Sequence, residues 1–191
     1  MKAKQLNSFI RLCSGVFLCT VLSIAQPLQN AAQQQVEEMH INAPFVLSPE
    51  KVVDAMLRLA DVKPTDTVYD LGCGDGRIVI QAASAFGAKG VGVDINPERV
   101  LEARKNAEKA GVKDKVSFIE NDIFKTEVQD ATVVTLYLLP DMNARLQPKL
   151  LKELKPGSRV VSHSFTFPDW KPEKHLTVNG SSIYLWIVPS R

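Results

Sequence analysis

The sequence predicts an α/β fold in which a mostly parallel sheet carries helices on both faces, and three observations lead to this class. Strand-like and helix-like segments alternate over residues 67–164, which is typical of βαβ units. A glycine-rich stretch, residues 72–76, lies where the first strand passes into a helix. The alternation then stops, and two strand-like segments flank Asn179-Gly180, a strong hairpin signal. The sheet is therefore expected to end in an antiparallel hairpin.

The first helix is predicted from signals at its two ends. Ser48 is suited to the N-cap, and Pro49 is suited to the first helical position. Apolar residues then recur at helical spacing through Ala60, and Pro64 ends the unit.

The later elements follow from apolar periodicity and from glycine or proline at the boundaries. Gly87 and Gly111 end two of the predicted helices, and Pro148 is expected to break and restart a third. The predicted strands are residues 67–71, 90–93, 116–119, 131–138, 159–164, 176–178 and 181–188, and the predicted helices between them are residues 77–86, 97–110 and 141–154.

The N-terminus has the pattern of a targeting segment. Lys2, Lys4 and Arg11 precede residues 12–25, which carry no charge, and no acidic residue occurs before Glu37. This pattern predicts a secretory signal, with a membrane anchor or an organellar transit segment as alternatives. Removing residues 1–25 changes the net charge from +2 to −1, so the basic excess gives no reason to expect a nucleic-acid partner.

These boundaries predict a signal or anchor over residues 1–25, a polar tether over 26–41 and one domain over 42–191. The protein is accordingly expected to be exported or membrane-anchored, on the periplasmic side if bacterial, with a mitochondrial location as the alternative. Cys73 is the one cysteine after residue 25, so the domain cannot depend on an internal disulfide.

The residues with the clearest chemistry lie at the ends of the first two strands. Gly72, Gly74 and Gly76 allow a ligand to approach the backbone closely, and Asp70 stands just before them. Asp94 ends the next strand, where a carboxylate can accept both hydroxyls of a ribose.

The same residues argue against a dinucleotide. The third glycine comes one residue earlier than the dinucleotide fingerprint requires, and Arg77 takes its place. The carboxylate of Asp70 would repel a pyrophosphate but attract an ammonium or sulfonium group. S-adenosylmethionine has a ribose and a cationic end, so it is the expected cofactor. Asn121 and Asp122, after the third strand, are suited to bind the adenine amino group.

Two apolar residues complete the predicted cofactor site. Ile123 is expected to cover the adenine face, and Ile95 follows the ribose-binding Asp94 directly. The three histidines, in contrast, have no spacing typical of metal ligands, so no metal site is expected.

From about residue 44 onward the chain resembles a class I S-adenosylmethionine-dependent methyltransferase. The glycine stretch resembles that family's first motif, and the resemblance implies a Rossmann-like seven-stranded methyltransferase sheet. More narrowly, segments 44–49, 137–141, 165–170 and 184–189 are similar to small protein-lysine methyltransferases. Mitochondrial members of that group methylate the ATP synthase c subunit and the adenine nucleotide translocase, and short bacterial relatives share the last segment.

The resemblance implies a lysine of a protein as the acceptor. Joined to the apolar N-terminal segment, it predicts an acceptor near a membrane, and the enzyme is expected to be a monomer. Tyr137 and Asp141 follow the fourth strand and are the predicted catalytic residues. The chain lacks the Asp/Asn-Pro-Pro-Tyr/Phe tetrapeptide of base- and amide-methylating enzymes, so no nucleic-acid acceptor is expected. A small-molecule O- or N-methyltransferase and a non-catalytic sensor of S-adenosylmethionine remain the alternatives.

Overall fold

The computed structural model describes residues 46–190. Within this range the chain forms one sheet of seven strands in the order β3-β2-β1-β4-β5-β7-β6. The first five strands are parallel, and β7 runs antiparallel to both of its neighbours, β5 and β6. The predicted fold class is confirmed. The strands are β1 (Thr67–Leu71), β2 (Lys89–Asp94), β3 (Val116–Glu120), β4 (Val133–Leu136), β5 (Arg159–His163), β6 (Lys174–Val178) and β7 (Ser181–Ile187).

The described helices cover both faces of the sheet. They are α1 (Glu50–Leu59), α2 (Arg77–Phe86), α3 (Pro97–Lys109) and α4 (Pro140–Glu153). Successive residues of a strand point to opposite faces. Val161 accordingly packs with α1 and α2, while Val160 packs with α4. Across residues 46–190, no helix combines the length and the apolar character needed to cross a bilayer.

Two local predictions are wrong. Pro148 does not break α4, which continues from Pro140 to Glu153. The proline lies at an exposed position, so the helical hydrogen bond that its missing N–H cannot make is lost on the solvent side of the helix. Ser48 does not cap α1 either. The N-cap is Pro49, which makes no side-chain capping bond, and the Ser48 hydroxyl contacts His163 instead. The predicted signal or anchor and the predicted tether lie outside the described residues.

Candidate active site

The candidate site lies at the sheet edge where the carboxyl ends of the parallel strands meet. The register pairs Leu71 with Val93 and Asp94 with Glu120, so the loops after β1, β2 and β3 leave the sheet side by side. The loops after β4 and β5 begin next to them, because Leu136 of β4 pairs with Leu71 on one side and with Ser162 on the other. In open α/β sheets ligands bind at this edge.

The glycine loop folds back onto β2. Gly72, Gly74 and Gly76 all have positive φ, at 86°, 52° and 79°, a region that favours glycine. The amides of Gly72 and Cys73 donate to the Val93 carbonyl, at 2.8 and 2.9 Å. The Gly74 amide donates to Asp94 Oδ2 at 2.9 Å. Asp94 therefore helps to hold the loop in place.

Gly76 differs from the other two glycines in what surrounds it. A Cβ there would lie 2.7 Å from Phe118 Cε1 and 2.9 Å from the Ala103 side chain. A residue without a side chain is therefore needed at position 76 for two reasons: its φ is positive, and the start of α2 packs closely against β3 and α3. Ligand contact is not needed to account for it.

Asp94 ends β2, and its carboxylate uses only part of its capacity to accept hydrogen bonds. Its Oδ1 accepts the Asn96 amide at 2.9 Å, and its Oδ2 accepts the Gly74 amide. An ionised carboxylate has about four lone-pair sites, so two sites remain for hydroxyl donors. Ile95, directly after it, is exposed and available to an apolar ligand face.

Asp70 is a buried carboxyl that has no cationic partner among the described residues. Thr135 Oγ1 donates to its Oδ1 at 2.8 Å, because the two residues are paired between β1 and β4. Burial raises the pKa of Asp70 to about 7 despite the Thr135 bond, and the charges of Asp94 and Asp75 add to the rise. None of the ion pairs within residues 46–190 includes Asp70. An ammonium group brought by a ligand would stabilise its ionised form.

The residues after β3 are arranged by a tight turn. The Asn121 amide donates to the Asp94 carbonyl at 3.0 Å, which brings the two loops together. Asp122 Oδ1 accepts the Phe124 amide at 2.9 Å, and Ile123 is buried in the core. The exposed Ile95 therefore offers a larger apolar surface to an adenine ring than Ile123 does.

The carboxyl ends of β4 and β5 bring Tyr137 and His163 together. Their rings stack with centroids 3.9 Å apart and planes inclined by 29°. Asp141 is exposed in the first turn of α4, and its carboxylate has no hydrogen bond or ion pair with another of the described residues. Tyr137 is thus held within a packed cluster, while no side chain in the described range holds Asp141.

Several residues of the site do not follow from the sequence. Ser48 contacts His163 across 115 positions of the chain, and Arg77 Nη1 donates to the Ser48 carbonyl at 2.9 Å. Thr135, the partner of Asp70, looks like any strand threonine in the sequence.

Cys73 is a small residue of the turn, and burial raises the pKa of its thiol far above the usual range, so the thiol is unreactive.

Comparison with known proteins decides the family. The model of the ANTKMT methyltransferase domain matches residues 70–174, more than half of the chain. The chain belongs to this methyltransferase family. A protein-lysine N-methyltransferase of Saccharolobus islandicus is 48% identical over 152 residues, which are 77% of this chain and 94% of that protein. A mouse lysine N-methyltransferase of the ATP synthase c subunit is 36% identical over 87% of this chain, which spans 64% of the mouse protein.

Solved structures of methyltransferases share the fold. An RNA methyltransferase from Salinibacter ruber in complex with S-adenosyl-L-homocysteine is 51% identical, with a TM-score of 0.75, over 76% of this chain and 95% of that one. A methyltransferase from Geobacter sulfurreducens with the same ligand is 26% identical, with a TM-score of 0.55, over 61% and 48%. This methyltransferase uses S-adenosylmethionine.

The prediction of an exported or membrane-anchored protein is wrong. The Saccharolobus islandicus relative, of which the chain covers 94%, is described as a protein-lysine N-methyltransferase and gives no support to export or anchoring. The 14 uncharged residues behind the prediction are also fewer than the ~20 that a helical membrane anchor requires. These residues lie outside the described range.

Proposed function

We propose that this methyltransferase transfers a methyl group from S-adenosylmethionine to the side-chain amine of a lysine in a protein. The observation that carries the proposal is the 48% identity to the Saccharolobus islandicus protein-lysine N-methyltransferase over nearly all of that protein. The mouse relative is also described as a lysine methyltransferase. Two relatives of different lengths are thus described as acting on the same type of side chain.

The carboxylates at the ends of β1 and β2 are proposed to hold the cofactor. S-adenosylmethionine supplies an electrophilic methyl group on a cationic sulfur. Asp70 would bind the ammonium group, since it is buried without a cation from the described residues, and Asp94 would accept the ribose hydroxyls. Ile95 would cover the adenine, whose amino group Asn121 and Asp122 would bind.

Tyr137 and Asp141 are proposed to act on the acceptor. A lysine ammonium has no free lone pair, so it must first release a proton to solvent. The neutral amine then forms the N–C bond while the C–S bond breaks and its electron pair stays on sulfur. Tyr137 would position the amine beside the methyl group, because positioning alone lowers such barriers by several kcal/mol. The exposed carboxylate of Asp141 would attract the incoming ammonium group.

RNA is the second candidate acceptor, and one observation favours it. The Salinibacter ruber structure, 51% identical to this chain, is described as an RNA methyltransferase. The absence of the base-methylating tetrapeptide argues the other way, because Tyr137-Leu138-Leu139-Pro140 stands in its place. The expected location of the acceptor near a membrane and the expected monomeric state stay predictions.

A labelling experiment separates the candidate acceptors. The enzyme and labelled S-adenosylmethionine are incubated with separate protein, RNA and small-metabolite fractions of cells. Label in the protein fraction is expected, and Asp94→Ala serves as the control with impaired cofactor binding. Label in RNA or in small metabolites alone would overturn the proposal, and label nowhere would favour the non-catalytic sensor.

A further inference from the structure

We infer that His163 is a positioning residue that fixes the Tyr137 ring at the acceptor side of the site, and that Ser48 fixes His163 in turn. The inference rests on the proposed role of Tyr137 and goes beyond it, since neither His163 nor Ser48 is part of the proposed catalytic pair. Three features carry it: the register of β4 and β5, the hydrogen bond of Ser48 and the anchored backbone around His163.

The sheet register places the two rings face to face. β4 and β5 are parallel, and Leu136 of β4 pairs with Ser162 of β5. Tyr137 and His163 are the next residues along the two strands. In-register neighbours on parallel strands project from the same face about 4.8 Å apart, which suits ring stacking. The centroids are 3.9 Å apart, with His163 buried and Tyr137 half-buried.

Ser48 restrains the imidazole from the other side. Its Oγ lies 2.9 Å from His163 Nδ1 in a buried hydrogen bond. Its carbonyl accepts Arg77 Nη1 at 2.9 Å, and Arg77 Nη2 is bonded to Asp75 at 2.7 Å. Ser48 is therefore fixed at two atoms, one facing the acceptor side and one facing the helix that follows the glycine loop. The imidazole cannot rotate without breaking the Ser48 bond.

The backbone at His163 is anchored as well. Ser164, the next residue, has a φ of 68°, which a residue with a side chain rarely adopts. Its amide donates to the Ser182 carbonyl at 2.8 Å, and the Phe165 amide donates to the His163 carbonyl at 2.9 Å. The chain thus turns sharply right after His163, and these bonds hold the turn.

A neutral imidazole suits an acceptor that arrives as a cation. Burial lowers the pKa of His163, which keeps the ring uncharged at neutral pH. An imidazolium stacked on Tyr137 would repel a lysine ammonium group a few ångströms away. His163 therefore supplies a rigid, uncharged surface behind Tyr137.

Four substitutions separate the ring from the hydrogen bond. His163→Asn keeps an amide near the position of Nδ1 but removes the stacking ring, while His163→Phe keeps a ring and removes the bond. Ser48→Ala removes the bond alone, and Ser48→Thr restores a hydroxyl. Misplacing a reacting group by about 1 Å can cost ~100-fold in rate. We expect kcat to fall at least ~10-fold in His163→Asn, to fall less in Ser48→Ala, and to recover in Ser48→Thr.

Affinity for S-adenosylhomocysteine separates a positioning role from a merely structural one. It is expected to stay within about twofold of wild type in all four variants, since a positioning role affects turnover and not cofactor binding. A parallel loss of this affinity and of kcat would show that His163 only supports the fold, and it would overturn the inference. So would a His163→Asn enzyme with wild-type kcat.

A double-mutant cycle tests whether His163 acts through Tyr137. If it does, adding His163→Asn to Tyr137→Ala lowers kcat no further than Tyr137→Ala alone. Additive losses would overturn the inference while leaving the proposed role of Tyr137 intact. A Tyr137→Ala enzyme with wild-type turnover would refute both. The two failures are therefore distinguishable.

Discussion

The pKa of Asp70 makes cofactor affinity depend on pH in a direction that can be worked out. With a pKa of about 7, the carboxyl is mostly protonated at pH 6 and mostly ionised at pH 7.5. An ammonium ligand binds the ionised form, so affinity should rise with pH. The ionised fraction increases from ~0.09 to ~0.76, and the apparent Kd should fall roughly eightfold, in proportion.

Calorimetry with S-adenosylhomocysteine between pH 6 and pH 7.5 measures this change. Asp70→Asn keeps the shape of the side chain and an acceptor for Thr135 but cannot ionise, so it should bind weakly with no pH dependence below pH 7.5. Thr135→Val removes the hydrogen bond that lowers the Asp70 pKa. In this variant the midpoint of the rise in affinity with pH should therefore lie at higher pH than in wild type. This variant is the matched control, because Asp70 itself is retained.

Stability without ligand should change in the opposite direction. The folded-state pKa of Asp70 lies above the ordinary value of 3.8, so its contribution to stability is full below that value and is lost as pH rises through about 7. Ligand-free Asp70→Asn should therefore gain stability over wild type by on the order of a few kcal/mol near pH 8. Wild-type affinity that is equal at pH 6 and pH 7.5, or an Asp70→Asn variant that binds like wild type, would refute the reasoning.

Three further changes test the rest of the site. Asp94→Ala should weaken S-adenosylhomocysteine binding by ~1.5–3 kcal/mol, measured by calorimetry, because bonds to a charged acceptor are lost; unchanged affinity would remove the ribose assignment. Gly76→Ala should lower the free energy of unfolding by ~1–3 kcal/mol more than Gly157→Ala in urea melts. Both glycines have positive φ, but only at Gly76 would the added Cβ meet neighbours; equal losses would contradict the packing argument. Tyr137→Ala should lower kcat at least ~10-fold with cofactor affinity kept, whereas equal losses in both would contradict an acceptor-side role.

The sheet and the position of the cofactor residues are predictable from the sequence because they depend on local patterns. The alternation of strands and helices determines which residues lie at the strand ends. Those residues reach the edge of the sheet where the candidate site lies. The prediction at Pro148 is wrong because the cost of a helical proline depends on exposure, which the local pattern does not contain. The contacts of Ser48 with His163 and of Thr135 with Asp70 join distant segments, so no local pattern contains them. Thr135 meets Asp70 through the register of β1 and β4, and Ser48 reaches His163 from the segment that precedes α1.

The proposed acceptor chemistry is tested most directly by identifying the methylated atom. Acceptor protein labelled by the enzyme is hydrolysed, and its amino acids are analysed by mass spectrometry. A parallel sample of the acceptor is treated beforehand with acetic anhydride, which converts lysine amines into amides that cannot accept a methyl group. The proposal predicts methylated lysine in the first sample and loss of labelling in the second. Methylation of another amino acid, or labelling that survives the blocked amines, would contradict it.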